Sequence, residues 1–186
     1  MVGHDRFRST RTRLLEDERN YAVFPGNPVI LMTRPEIVLP EDGRQSETAL
    51  RIARGTRRLL RAHGFATVTE LILPSGRRAD LVALASNGAM AIIEIKSSVV
   101  DLRSDQKWPD YRDHCDKLYF AISEDLPVEL LPEDAGLIMA DGYGAAIIRE
   151  APLHRMAPAT RRAMLLRFGL TAADRLHILW DREREG

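Results

Sequence analysis

The sequence predicts an α/β or α+β domain: a mixed central sheet flanked by helices. Three observations carry that expectation. A helical apolar repeat after Ser46 gives way to three short strand-like runs, and further strands and helical repeats follow. The separators Pro74-Ser-Gly76 and Ser86-Asn-Gly88 have hairpin turn chemistry. The 186 residues are 45% apolar and 29% charged, which suits one soluble globular domain with appendages.

Residues 1–45 read as a partly irregular N-terminal extension. The stretch His4 to Arg19 is charged and poor in apolar positions, and Pro25, Pro28, Pro35 and Pro40 then oppose a regular helix. The domain proper is expected over 46–186. Ser46 is an N-cap candidate for a helix running to about Ala62 and ended by Gly64. At about 100° per residue, Ala49, Ile52, Ala53, Thr56, Leu59 and Leu60 share one face. Arg51, Arg54, Arg58 and Arg61 form an arc elsewhere, and two readings of it stand: a stripe that tracks phosphates, or a solvated face. Strands are expected over Ala66 to Leu73, Arg77 to Ala85 and Ala89 to Lys96. A short helix begins near Pro109, since proline is favoured at the first helical position. Leu118 to Ile122 is a buried strand. Gly136 to Ala140 and Ala145 to Arg149 flank Asp141-Gly-Tyr-Gly144 as a hairpin. Two separate helices, Pro158 to Phe168 and Thr171 to Trp180, close the chain.

Composition narrows the function classes. No apolar run approaches the roughly 20 residues that span a bilayer, and the N-terminus has no signal-peptide core. The single cysteine, Cys115, rules out an internal disulfide and a Cys-rich zinc site. A cytoplasmic protein without membrane contact is expected. The 27 basic and 27 acidic residues balance, so no global basic field attracts nucleic acid. Only Lys96, Lys107 and Lys117 among the basic residues are lysine. Arginine suits phosphate recognition, but the preferred explanation of the bias is a GC-rich genome that favours arginine codons.

The chemistry-bearing stretch is residues 77–98, RRADLVALASNGAMAIIEIKSS. Glu94 and Lys96 share one face of a strand because side chains alternate. The other residues of that face, Met90 and Ile92, are apolar, so the face is expected to be covered. If the turn is three residues centred on Asn87, Asp80 falls opposite Glu94. If the preceding turn centres on Ser75, Glu70 falls opposite Asp80. Three carboxylates side by side on neighbouring strands repel one another unless a cation neutralises them. A two-residue turn at Asn87-Gly88 would instead put the acids on opposite faces. Carboxylate oxygens without cysteine or histidine favour Mg²⁺ or Mn²⁺. A lysine beside such an ion suits phosphodiester hydrolysis, through water activation and charge neutralisation.

Asp on the second strand and Glu-x-Lys on the third, after a helix, resembles the PD-(D/E)xK nuclease superfamily with its restriction-endonuclease-like αβββαβ core. The words RRADLVAL, IEIKSS, DQKWPDYRDHCDKLYFA and GLIMADGYGAAIIRE more closely resemble the MmcB family of bacterial DNA repair proteins, from about Ser46 to about Arg167. The resemblance implies metal ligands at Asp80 and Glu94, a catalytic lysine at Lys96, and a Mg²⁺ or Mn²⁺ cofactor. It also implies DNA as the partner, and other repair proteins beside it. Glu70 would be a third ligand or a neighbouring acid. Glu47 matches the helical glutamate of the superfamily, or pairs with Arg51 four residues on. Lys107 and Tyr111 are candidate substrate contacts, as are Arg51, Arg54 and Arg58. Ala79 stands where the superfamily name has proline. Trp108 is expected in the core, Cys115 as buried filler, and His63, His154 and His177 as structural or solvated. Two rival functions remain: a silent DNA-binding or scaffold module of the same fold, and a metal-dependent hydrolase of small phosphate esters.

Overall fold

In this computed structural model the described residues are 46–104 and 107–184; the extension over 1–45 lies outside them. Helix α1 spans Glu47–Ala62, with the Ser46 hydroxyl accepting the Ala49 amide at 3.1 Å. That contact satisfies one of the helix's orphan donors. Ile52, Gly55, Thr56 and Leu60 form its buried stripe, and Gly64 leaves the helix at φ +81°.

Strands β1 (Ala66–Ile72), β2 (Arg78–Leu84) and β3 (Met90–Lys96) follow as antiparallel neighbours. The β2–β3 turn is three residues long. Ala85 donates to Ala89 O at 2.9 Å, and Gly88 sits at φ +82°, a conformation open to glycine at little cost. Helix α2 (Val99–Ser104) and a 3₁₀ segment (Trp108–His114) lead to β4 (Lys117–Ile122). β5 (Gly136–Ala140) and β6 (Ala145–Arg149) complete the sheet, and α3 (Pro158–Arg184) closes the described chain. Strand order is β1-β2-β3-β4-β5-β6, with β3, β4 and β5 mutually parallel and β5–β6 antiparallel. The fold is therefore the mixed, helix-flanked sheet expected of the sequence.

Each sheet face has its own cover. Ile52 and Leu60 of α1 pack on Leu81, Ala83, Ala91, Ile93, Tyr119 and Ala121. The opposite face buries Val68, Val82, Met90, Ile92 and Leu118 against Tyr111, Cys115, and Met164 and Phe168 of α3. Further along that face, Phe120, Ile122 and Leu137 pack with Leu102 of α2. Each fully buried Ile or Leu contributes roughly 1.5–3 kcal/mol.

Four elements differ from expectation. α3 is one helix, not two: Gly169 and the leucines around it continue the turn. The helix expected near Pro109 is a 3₁₀ segment, and α2 and a short 3₁₀ turn at Val128–Leu130 were not foreseen. Trp108 is half-buried, edge-on to Phe120 at 5.9 Å with the Arg112 guanidinium over its ring at 4.9 Å. Cys115 is fully buried, and burial pushes its thiol up to about 12, which leaves it inert.

Asp116 fastens these layers together. Its carboxylate accepts the Met90 amide at 2.8 Å and a two-point contact from Arg161 of α3 at 2.6 and 2.8 Å. Arg161 also donates to Gly88 O in the β2–β3 turn at 2.9 Å.

Candidate active site

The registers are those of the two expected turns. β1 pairs with β2 as Thr69↔Leu81 and Leu71↔Ala79, and Glu70 and Asp80 occupy the interval between. β2 pairs with β3 as far as Leu81↔Ile93, one residue short of Asp80 and Glu94. Glu70 lies at φ +50°, uncommon for a residue with a side chain. Val68 and Leu71 pack in the same cluster, as do Val82 and Ala79. Strict alternation would put the members of each pair on opposite faces, so both strands change phase at Glu70 and Asp80.

At that break the Asp80 Oδ2 accepts the Ile95 amide at 2.9 Å. A side chain thus serves a β3 backbone donor where the β2 ladder stops. Burial raises the Asp80 pKa above the ordinary carboxylate range. The Ile95 amide and the Lys96 charge oppose that rise, and the charges of Glu70 and Asp101 add to it. The Asp80 carboxylate thus meets the β3 backbone at Ile95, between Glu94 and Lys96, and feels the Lys96 charge.

Glu94 and Lys96 do share a face. Their register partners on β4 are Phe120 and Ile122, both in the apolar cluster under α2. Glu94 is 4% and Lys96 5% exposed, and Lys96 Nζ lies 3.6 Å from Glu94 Oε2. Burying both charges is costly, and an apolar pair of similar volume would often be as stable or more so.

The remaining expected residues separate into groups. Glu70 is buried, and its Oε2 meets Arg78 Nε at 2.7 Å. Its backbone and that of Thr69 receive the Arg175 guanidinium of α3, at 2.6 Å to Thr69 O and 3.5 Å to Glu70 O. Tyr111 is buried, with its hydroxyl donating to Arg78 O at 3.3 Å, so that oxygen serves the fold. Lys107 is exposed immediately before the 3₁₀ segment. Glu47 is exposed in the first turn of α1, where an acid complements the helix dipole. Arg51, Arg54 and Arg58 belong to α1, which covers the face of Ile93, opposite the Glu94–Lys96 pair. Arg58 donates to Tyr143 O at 2.8 Å, and Arg51 lines a cleft of about 410 Å³ with Asp125 and Asp141.

A scan against family models matches residues 38–183 to the family described as DNA repair protein MmcB-like. The chain belongs to the MmcB-like family. Among solved structures, one described as the SPO1766 protein of unknown function from Silicibacter pomeroyi is similar, at 42% identity and a TM-score of 0.72. The similarity covers 76% of this chain and 97% of that one. No curated protein matches. No described helix of this MmcB-like chain is long and apolar enough to cross a membrane.

Arg78, Arg175 and Asp101 around the MmcB-like site were not anticipated. Asp101 accepts the Ser97 amide at 3.3 Å, while the Ser98 hydroxyl accepts the Asp101 amide at 3.1 Å. Ser98-x-x-Asp101 is a capping-box pattern, the signal that would have found it. Arg175 had no local signal, because it reaches β1 from 105 residues away.

Among the described residues, no group of three or more His, Cys, Asp or Glu side chains is gathered to hold a metal. The donor chemistry still suits a hard divalent cation. Asp80 and Glu94 supply carboxylate oxygens on adjacent strands, and Mg²⁺ commonly takes one or two carboxylates, keeping waters and substrate phosphates for the rest.

Proposed function

We propose that this MmcB-like protein is a metal-dependent nuclease of the PD-(D/E)xK type, hydrolysing DNA phosphodiesters in repair. The observation that carries this reading is the buried Glu94–Lys96 pair beside the Asp80 carboxylate at the point where the β2–β3 ladder ends. Ionisable groups this buried, with a carboxyl displaced upward by desolvation, cluster at functional sites. Asp80 and Glu94 would hold Mg²⁺ or Mn²⁺. When bound, the ion would supply a Lewis acid for a phosphate oxygen and lower the pKa of a ligand water. The chain's own residues do the rest. Lys96 Nζ, held by Glu94, orients the attacking water and offers its positive charge to the phosphorane. The Ile95 amide keeps the Asp80 carboxylate aimed at β3. The water oxygen forms a new P–O bond as its proton passes to solvent, and the P–O bond to the leaving oxygen breaks as that oxygen takes a proton from solvent.

A second reading has an observation in its favour. The Asp80 Oδ2 is already engaged by Ile95, and the Glu94 Oε2 lies beside Lys96. A chain that keeps the fold and binds DNA or repair proteins without cleaving is consistent with oxygens committed in this way. Incubation with linear, single-stranded, flap and nicked DNA, with and without Mg²⁺ and Mn²⁺, separates the two. A nuclease cuts at least one substrate only with metal, and Asp80→Asn abolishes the cut. No cleavage of any substrate under any condition supports the silent module.

A further inference from the structure

α1 carries Arg51, Arg54, Arg57, Arg58 and Arg61 against a single acid, Glu47. Arg54/Arg57, Arg54/Arg58, Arg57/Arg61 and Arg58/Arg61 stand three or four residues apart, where like charges destabilise a helix by a few tenths of a kcal/mol per pair. Opposite signs at those spacings would stabilise the helix by similar amounts. Here the repulsion is retained in a chain whose total charge is zero, so the acids have been placed elsewhere.

Four of these arginines border one groove. Arg54, Arg57, Arg58 and Arg61 form one wall, and Phe65 and Thr67, at the start of edge strand β1, form the other. The groove encloses about 400 Å³, and among the described residues no carboxylate lines it. Arg54, Arg57 and Arg61 are exposed, and none makes an ion pair with a described carboxylate. Arg58 is fastened by its bonds to Gly142 O and Tyr143 O at 3.3 and 2.8 Å, which positions one cation in advance. Phe65 packs partly against the α1-side core and turns its remaining surface to the groove.

We propose that this groove is a second nucleic-acid site, separate from the carboxylates, which takes a single strand. Its phosphates would lie along Arg54, Arg57 and Arg61, and one base would stack on Phe65. An arginine track beside an aromatic ring is the combination that holds single strands without sequence preference. A duplex keeps its bases stacked inward and leaves Phe65 nothing to receive. The groove lies on the α1 side of the sheet, opposite the Glu94–Lys96 face, so the inference stands whether or not the carboxylate site cleaves.

The test is fluorescence anisotropy of the full chain with a labelled oligo-dT 12-mer and with the matching dT·dA duplex, in EDTA so that no cleavage intervenes. Charge reversal in Arg54→Glu, Arg57→Glu, Arg61→Glu is expected to weaken dT binding at least tenfold. It should also flatten the log–log salt slope by about 2, since each single-strand phosphate contact contributes about 0.7. Phe65→Ala is expected to weaken dT binding about tenfold or more with the slope unchanged, and Phe65→Tyr to restore it. Charge reversal at Arg162→Glu, exposed on α3 and outside the groove lining, should leave dT binding near the parent value, which ties the effect to the groove rather than to net charge. The proposal is overturned if the triple variant, with parental circular dichroism, binds dT as the parent does. It is equally overturned if Phe65→Ala and Phe65→Tyr bind alike, or if the duplex binds as tightly as the single strand.

Discussion

Asp80 is where folding and the proposed chemistry pull in opposite directions. Burial raises its pKa, so the ionised form costs the folded state stability at neutral pH, and that cost fades as pH falls through the folded pKa. Asp80→Asn keeps an oxygen for the Ile95 amide and removes the charge. In EDTA at pH 7 it is expected to stabilise the protein by about 1 kcal/mol, as substitutions at functional sites can, read from urea unfolding. Added Mn²⁺ should then raise the melting temperature of the parent and not of the variant, because only a native-state ligand stabilises by occupancy. Loss of stability in Asp80→Asn, or an equal Mn²⁺ response in both, would count against the site. Asp116 behaves in the opposite sense. The Arg161 guanidinium, with the Met90 amide, holds its carboxyl below the usual range. Its stabilisation is therefore present above the unfolded carboxylate pKa and is lost as pH falls through the depressed value. Asp116→Asn should cost about 3 kcal/mol at pH 7, the lower end for a broken buried pair, and the cost should shrink as pH falls through the depressed carboxyl pKa. A cost that persists unchanged in acid would mean that the Arg161 contact contributes little.

Helices α1 and α3 each contain a glycine, and their surroundings give the two opposite signs. A Cβ on Gly55 would collide with the carbonyl oxygens of Asp141 and Gly144, whereas one on Gly169 meets nothing within 4 Å. Gly55→Ala is expected to destabilise by about 1–3 kcal/mol through overpacking. Gly169→Ala should stabilise by roughly 0.5–1 kcal/mol, because alanine loses less backbone entropy in a helix. Matching signs in thermal melts would contradict the packing described for α1 on the β5–β6 turn. The same glycines mark what could be read in advance. Gly64, Gly76 and Gly88 end a helix and set two turns by local chemistry, so α1, β1, β2 and β3 and their registers were legible. Gly169 resembled a helix terminator, but apolar contacts of Met164, Phe168 and Ala172 carry α3 through it. Helix α2 went unseen because Val99 and Val100 are β-branched and only Ser97-Ser98 separates them from β3.

Across the whole molecule, the Asp80, Glu94 and Lys96 positions could be read from hairpin arithmetic, since strand pairing needs only the turn centres. Which face each residue meets could not. The phase change at Glu70 and Asp80 depends on a positive φ braced by Arg175 from α3, and the assignment of α1 to the opposite face depends on three-dimensional packing. The result is a sheet with two unlike sides: a buried carboxylate–lysine site under α2 and the 3₁₀ segment, and an arginine groove beside α1. The overall charge of zero concealed that segregation. The central claim is that Lys96 and its carboxylates hydrolyse phosphodiesters, and one comparison addresses it most directly. Cleavage rate and DNA affinity are measured on the same preparations of the parent and Lys96→Ala, in Mn²⁺, on the best-cut substrate. The expected result is a rate lowered at least a hundredfold with affinity changed less than threefold. Equal cleavage rates in the two proteins, or parental cutting that persists in EDTA, would contradict it.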